Sequence, residues 1–156
     1  MLNLIWFIPL LPLAGAILNL ILGRKFGDPR SGWVATIATG TSFLVTVLVY
    51  FEMLGLEAEE RSHVEVLFSW LPVGFALLAD PLSIVMALFI TGISTLIHLY
   101  AIGYMHGDAK FSKFFLYLNL FVFSMLMLVM GENLLVTFLG WEGVGACSYF
   151  LISFWH

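Results

Sequence analysis

The sequence predicts an all-α polytopic membrane protein that crosses the bilayer with about five helices, its N-terminus outside. Three observations predict this. Of 156 residues, 62% are hydrophobic and only 10% are charged, against roughly 25% charged in a soluble domain. Five apolar stretches, 1–22, 31–51, 81–105, 114–131 and 133–156, each approach the roughly 20 residues that span a hydrocarbon layer. The basic residues are also uneven: Arg24, Lys25 and Arg30 lie in the first connection and Lys110 and Lys113 in the third, with Arg61 alone in the second. The excess of basic residues on cytoplasmic loops puts connections one and three inside. The end of the chain then falls on the inner side, after the fifth helix.

The first stretch lacks a positively charged start and a small-residue cleavage site, so it reads as a retained helix, bent by Pro9 and Pro12. Beyond the second stretch, 55–63 is acidic and polar, with Glu57, Glu59 and Glu60. Residues 64–79 are apolar but broken by Pro72 and Gly74, too short to cross. A β-hairpin or re-entrant segment covering the outer face, within an outer loop 55–80 between helices two and three, fits this pattern. Asp80-Pro81 then starts the third helix, with Asp as cap and Pro in the first turn. Asn133 caps the fifth in the same way. Trp6, Trp33 and Trp155 fall near predicted helix ends, where tryptophan anchors the membrane interface.

The fifth stretch holds one charge. Glu142 lies about 13 Å into a layer about 30 Å thick, where a carboxylate costs about 3 kcal/mol on insertion scales. Such a residue is retained for a partner, a wet path or a function. At 100° per residue, Gly145, Tyr149, Ser153 and His156 lie within about 60° of Glu142. The third helix carries a comparable face: Thr91, Ser94, Thr95 and His98, with Ser83 further down. Polar faces of membrane helices turn toward the bundle interior or a hydrated cavity. Interhelical hydrogen bonding for packing accounts for hydroxyl side chains equally well, whereas a neutral imidazole such as His98 can relay protons near neutral pH. Gly140, Gly143 and Gly145 serve either close helix packing or local unwinding beside Glu142.

The absences bound the chemistry. A single cysteine, Cys147, excludes an internal disulfide and a cysteine-built metal or iron–sulfur site. No phosphate-binding loop, nucleotide fingerprint, nucleophile elbow or cluster of metal ligands is present, and no basic run suggests nucleic acid. No cofactor or metal is expected in this chain. No Lys or Arg lies inside the five stretches, so the cation that would drive a proton on and off Glu142 must come from elsewhere.

The blocks Asp80-Pro81-Leu82-Ser83, Thr91-Gly92-Ile93-Ser94, Leu96-Ile97-His98-Leu99-Tyr100, Phe114-Phe115-Leu116-Tyr117-Leu118-Asn119-Leu120-Phe121 and Gly140-Trp141-Glu142-Gly143-Val144-Gly145 resemble the antiporter-like subunit L family of bacterial NADH–quinone oxidoreductase, respiratory complex I. The resemblance covers nearly the whole chain. It implies the N-terminal part of a longer subunit: residues 1–112 as the leading helices with outer loop 55–80, and 113–156 as the first two helices of an incomplete antiporter-like unit. It further implies proton translocation through Glu142; from the helix periodicity, His98 is expected as a relay and Thr91, Ser94, Thr95, Tyr149 and Ser153 as a supporting polar path. The partners implied are other membrane subunits of the complex, the lipid bilayer and protons. FMN, iron–sulfur clusters and quinone would sit in other subunits, with no redox chemistry here, and the location would be the bacterial plasma membrane. Two alternatives remain open on these residues: the large subunit of a multisubunit sodium/proton antiporter, which shares the helix-three and helix-five patterns, and a structural membrane fragment that moves no ion.

Overall fold

The computed structural model describes residues 2–70 and 72–155. His156, placed on the polar stripe of the fifth stretch, lies outside them. Four helices are long and apolar enough to cross a membrane: α1 (Phe7–Leu54), α2 (Pro81–Tyr104), α3 (Phe111–Met130) and α4 (Leu134–Ile152). A two-stranded antiparallel hairpin, β1 (His63–Trp70) and β2 (Val73–Ala79), lies between α1 and α2.

The first two expected stretches form one element, α1, whose limbs meet at the non-helical residues Gly27 and Asp28, and the hairpin follows the second limb. The cause is local. The expected loop at 23–30 stays helical apart from Gly27 (φ 63°, ψ −166°) and Asp28 (φ −84°, ψ 133°). A left-handed φ is a conformation that glycine adopts without steric cost, so the chain turns there without leaving an extended loop. A straight helix of this length would run about 72 Å, yet α1 folds back on itself. Ser42 Oγ donates to the Ile8 carbonyl at 2.5 Å and Asn19 Nδ2 to the Ser31 carbonyl at 3.1 Å.

Pro12 explains the first of these bonds. The Ile8 carbonyl would normally accept the amide four residues on, and proline has none. A buried hydroxyl from the returning limb takes its place, as an apolar setting without water requires. At the corner, Ser112 at the start of α3 donates to the Gly23 carbonyl at 2.7 Å.

Two ends of the bundle can be distinguished. At one, the Gly27–Asp28 corner meets the α2–α3 turn: Asp28 accepts the Gly107 amide at 2.7 Å and pairs with His106 at 2.9 Å. At the other, the hairpin meets the α3–α4 turn. Leu77 pairs with Gly131, the Glu132 amide donates to the Ala76 carbonyl at 3.1 Å, and Asn133 Nδ2 donates to the Gly74 carbonyl at 2.7 Å. Ala76, Leu77 and Ala79 of β2 are buried, in contrast with the exposed Val64, Val66 and Phe68 of β1. Trp6, expected at the membrane interface, is instead buried and stacks on Phe75 with ring centroids 6.0 Å apart. Trp33 and Trp155 are exposed.

Helix starts follow the sequence. Asp80 Oδ1 accepts the Ser83 amide at 2.8 Å while the Ser83 hydroxyl accepts the Asp80 amide at 2.9 Å, with Pro81 in the first turn. Asn133 Oδ1 accepts the Val136 amide at 3.1 Å. In the core, α3 packs against α1, α2 and α4, whereas α4 packs chiefly against α3.

Candidate functional site

His98 is the polar centre of the bundle. It projects from α2 and is 1% exposed, between α1 and α3. Nδ1 lies 2.6 Å from the Ser94 carbonyl oxygen and Nε2 lies 2.9 Å from Asn119 Oδ1 on α3. The Thr39 hydroxyl on the returning limb of α1 lies 3.0 Å from the same Asn119 oxygen and 3.1 Å from the Ala35 carbonyl. Thr39 and Asn119 are fully buried. Among the described residues Asn119 Nδ2 has no hydrogen-bond partner. It points at Gly15, where a Cβ would lie against this nitrogen and only 2.7 Å from Ala38 Cβ.

This geometry suits two protonation states. With Asn119 Oδ1 facing the ring, both ring nitrogens face acceptors, so both contacts are hydrogen bonds only when both nitrogens carry protons. A half-turn of the amide puts its NH₂ group against Nε2 and the Thr39 oxygen. The Thr39 proton then goes to Ala35 and the ring keeps a single proton, on Nδ1. Sequence reasoning missed Asn119 and Thr39. The signal was present: an amide in the middle of an apolar span is rare enough to mark an interior face.

The other expected residues on α2 are near but differently engaged. Thr91 is buried and donates to the Ala87 carbonyl at 2.7 Å, and Thr95 donates to the Thr91 carbonyl at 2.7 Å. Both hydroxyls are thus satisfied within their own helix, a common arrangement for threonine in an apolar segment. Ser94 serves His98 through its backbone carbonyl.

The α4 stripe is separate from this centre. Glu142 and Tyr149 are exposed, Gly145 has nothing within 4 Å of a notional Cβ, and Ser153 back-bonds to the Tyr149 carbonyl at 2.7 Å. Among the described residues Glu142 has no hydrogen-bonding or ionic partner. The stripe faces away from the bundle because α4 buries its small residues instead. A Cβ on Gly140 would lie 2.7 Å from Leu128 Cα, and one on Gly143 would lie 2.5 Å from Ser124 Oγ. Gly140 and Gly143 therefore let α4 approach α3, and α4 is helical throughout Leu134–Ile152 with no unwinding at Glu142. Since α3 stands between α2 and α4, the structure brings His98, Ser94, Thr95 and Thr91 together but not Glu142 with them.

Comparison with known proteins bears on this geometry. The family described as NADH-Ubiquinone oxidoreductase (complex I), chain 5 N-terminus matches residues 68–115, which include the end of β1, all of β2 and α2, and His98. NADH-quinone oxidoreductase subunit L of Mycobacterium tuberculosis is 41% identical over 156 residues, covering 97% of this chain and 24% of that protein. Subunit L of Escherichia coli (strain K12) is 38% identical over 159 residues, covering 99% of this chain and 26% of that protein.

The chain is similar to subunit L proteins over nearly all of its own length.

It spans about a quarter of the length of the curated relatives it matches. NADH-ubiquinone oxidoreductase chain 5 of Hypocrea jecorina, 38% identical, is covered for 21% of its length by 94% of this chain. Among solved structures, the Mrp complex from Dietzia sp. DQ12-45-1b aligns with a TM-score of 0.76 at 24% identity over 95% of this chain and 16% of that one, a likeness that shows the fold. The chain is thus similar to subunit L proteins along nearly its whole length, and Glu142 falls inside the span shared with those relatives although beyond the part matched by the chain 5 family.

Proposed function

We propose that the chain serves as the N-terminal portion of a proton-translocating membrane subunit of an NADH–quinone oxidoreductase in the bacterial plasma membrane. Electron transfer would occur in other subunits of the complex, which are its partners. The observation that carries this reading is Glu142: a carboxylate about 12 Å into α4, unpartnered among the described residues, on a helix face that no packing neighbour occupies. In this reading Glu142 takes up and releases the proton against a cation from another part of the assembly, and His98 is a relay whose two states Asn119 accommodates. The α2 hydroxyls Thr91 and Thr95 flank the relay, and Tyr149 and Ser153 line the Glu142 face.

The two limbs of α1, 7–26 and 29–54, each have the length of one crossing, so we read the chain as five crossings with the hairpin outside after the second. The basic corner at Asp28 and Gly107 is then cytoplasmic and the N-terminus is outside. A boundary near residue 112 separates the leading helices from α3 and α4, which begin the antiporter-like unit.

The test is NADH-driven proton uptake by membrane vesicles carrying the assembled complex. Glu142→Gln should abolish most uptake while leaving NADH oxidation by artificial acceptors intact; uptake at the wild-type level would overturn the role given to Glu142. The same vesicles assayed for sodium exchange separate the proton reading from a sodium/proton antiporter.

A further inference from the structure

A cavity of about 660 Å³ opens between the first limb of α1 and the start of α3. Arg24, Lys110 and Lys113 line it. Among the described residues none of the three has a carboxylate within ion-pair distance. The acidic groups at the rim are already engaged: Asp28 accepts the Gly107 amide and pairs with His106, and Asp108 accepts the Lys110 amide at 2.6 Å. Lys110 Nζ lies 5.8 Å from the centre of the Phe154 ring. Three cations against two carboxylates leave the cavity positive.

Its other walls have a different character. Leu20 and Ile21 are 67% and 68% exposed, an apolar surface continuous with the side of the bundle that a bilayer would cover. Asn19, 4% exposed, forms part of the inner wall; its Nδ2 is committed to the Ser31 carbonyl and its Oδ1 has no partner among the described residues. The cavity therefore offers cations for an anion, an apolar flank for hydrocarbon, and a buried acceptor for a hydroxyl donor. Free phosphate would use only the first of these.

We propose that this cavity binds the headgroup of an anionic phospholipid of the glycerol-headgroup class. The phosphate is held by Arg24, Lys110 and Lys113, a headgroup hydroxyl faces Asn19, and the acyl chains lie along Leu20 and Ile21. Basic pockets between membrane helices on the cytoplasmic side recognise lipid phosphates in this way. This goes beyond proton transfer, since none of these residues belongs to the His98 network or the Glu142 face.

The experiment is native mass spectrometry of the full chain in neutral detergent, titrated with dioleoyl phosphatidylglycerol or dioleoyl phosphatidylcholine. Wild type should retain one phosphatidylglycerol in clear preference to phosphatidylcholine. Arg24→Gln with Lys113→Gln should weaken retention about 25-fold, at about fivefold per removed charge. Lys25→Gln with Arg30→Gln removes the same charge from outside the cavity and should leave retention close to wild type. Far-UV circular dichroism verifies the fold of each variant. Equal loss in both double variants, equal retention of the two lipids, or full displacement by millimolar inorganic phosphate would overturn the proposal.

Discussion

Ser42 completes a hydrogen bond that Pro12 takes away. The Ile8 carbonyl, which Pro12 leaves without a helical donor, accepts the Ser42 hydroxyl at 2.5 Å across the fold of α1. The pair joins the two limbs at full burial, so a backbone defect written in the first limb becomes the fastening point of the second.

Removing that hydroxyl should therefore cost more than a typical membrane hydrogen bond. Ser42→Ala leaves a buried carbonyl unmet and should destabilise the chain by about 1–2 kcal/mol. Pro12→Ala restores the amide, and in that background Ser42→Ala should cost markedly less. Unfolding in mixed micelles by SDS titration, as a double-mutant cycle, reads the difference.

The glycines of α4 should separate by position. Gly140→Ala places a methyl against the Leu128 backbone, 2.7 Å from its Cα, and should destabilise by about 1–3 kcal/mol through forced separation of α3 and α4. Gly145→Ala meets nothing within 4 Å and should be neutral or slightly stabilising through helix propensity. The same SDS titration distinguishes them.

The corner between α1 and the α2–α3 turn should depend on pH. The Gly107 amide bonded to Asp28, with His106 beside it, holds the Asp28 carboxyl below its ordinary range despite the opposing effect of partial burial. A depressed folded-state pKa contributes stability above the unfolded value, about pH 4, and that contribution is lost as pH falls through the folded value. The protection of the Gly107 amide against hydrogen exchange, relative to an unstructured amide at the same pH, should fall on acidification below about pH 4 and should be low at all pH values in Asp28→Ala.

At the buried network, Asn119→Asp should trap His98 as the imidazolium, because a carboxylate then faces Nε2. Nitrogen-15 NMR of labelled histidine should show both ring nitrogens protonated in the variant. Asn119→Leu should instead leave a neutral ring with its proton on Nδ1, held by the Ser94 carbonyl at 2.6 Å.

Much of this architecture was legible in the residues. Local chemistry carried it: Asp80 and Ser83 cap reciprocally, Asn133 caps α4, and Pro72 and Gly74 mark a hairpin. The inward face of α2 was legible because threonine and histidine recur there at helical spacing. What escaped depends on partners distant in the chain. Asn119 acquires meaning only when His98 and Thr39 arrive beside it. The outward aim of Glu142 is set by Gly140 meeting the Leu128 backbone and Gly143 meeting the Ser124 side chain, and polarity alone does not reveal which of two helix faces packs more closely. The joined α1 escaped because a proline and a left-handed glycine resemble a loop even when the flanking turns remain helical.

The strap that β2 forms over the α3–α4 turn has a consequence for assembly. The Gly74 and Ala76 carbonyls accept from Asn133 Nδ2 and the Glu132 amide. During synthesis those donors emerge after α2 and α3 have been made. Until then the hairpin has an open edge, and that end of the bundle stays unlatched. Closure of that end therefore reports that the turn into α4 has arrived, giving the growing chain a built-in order of completion.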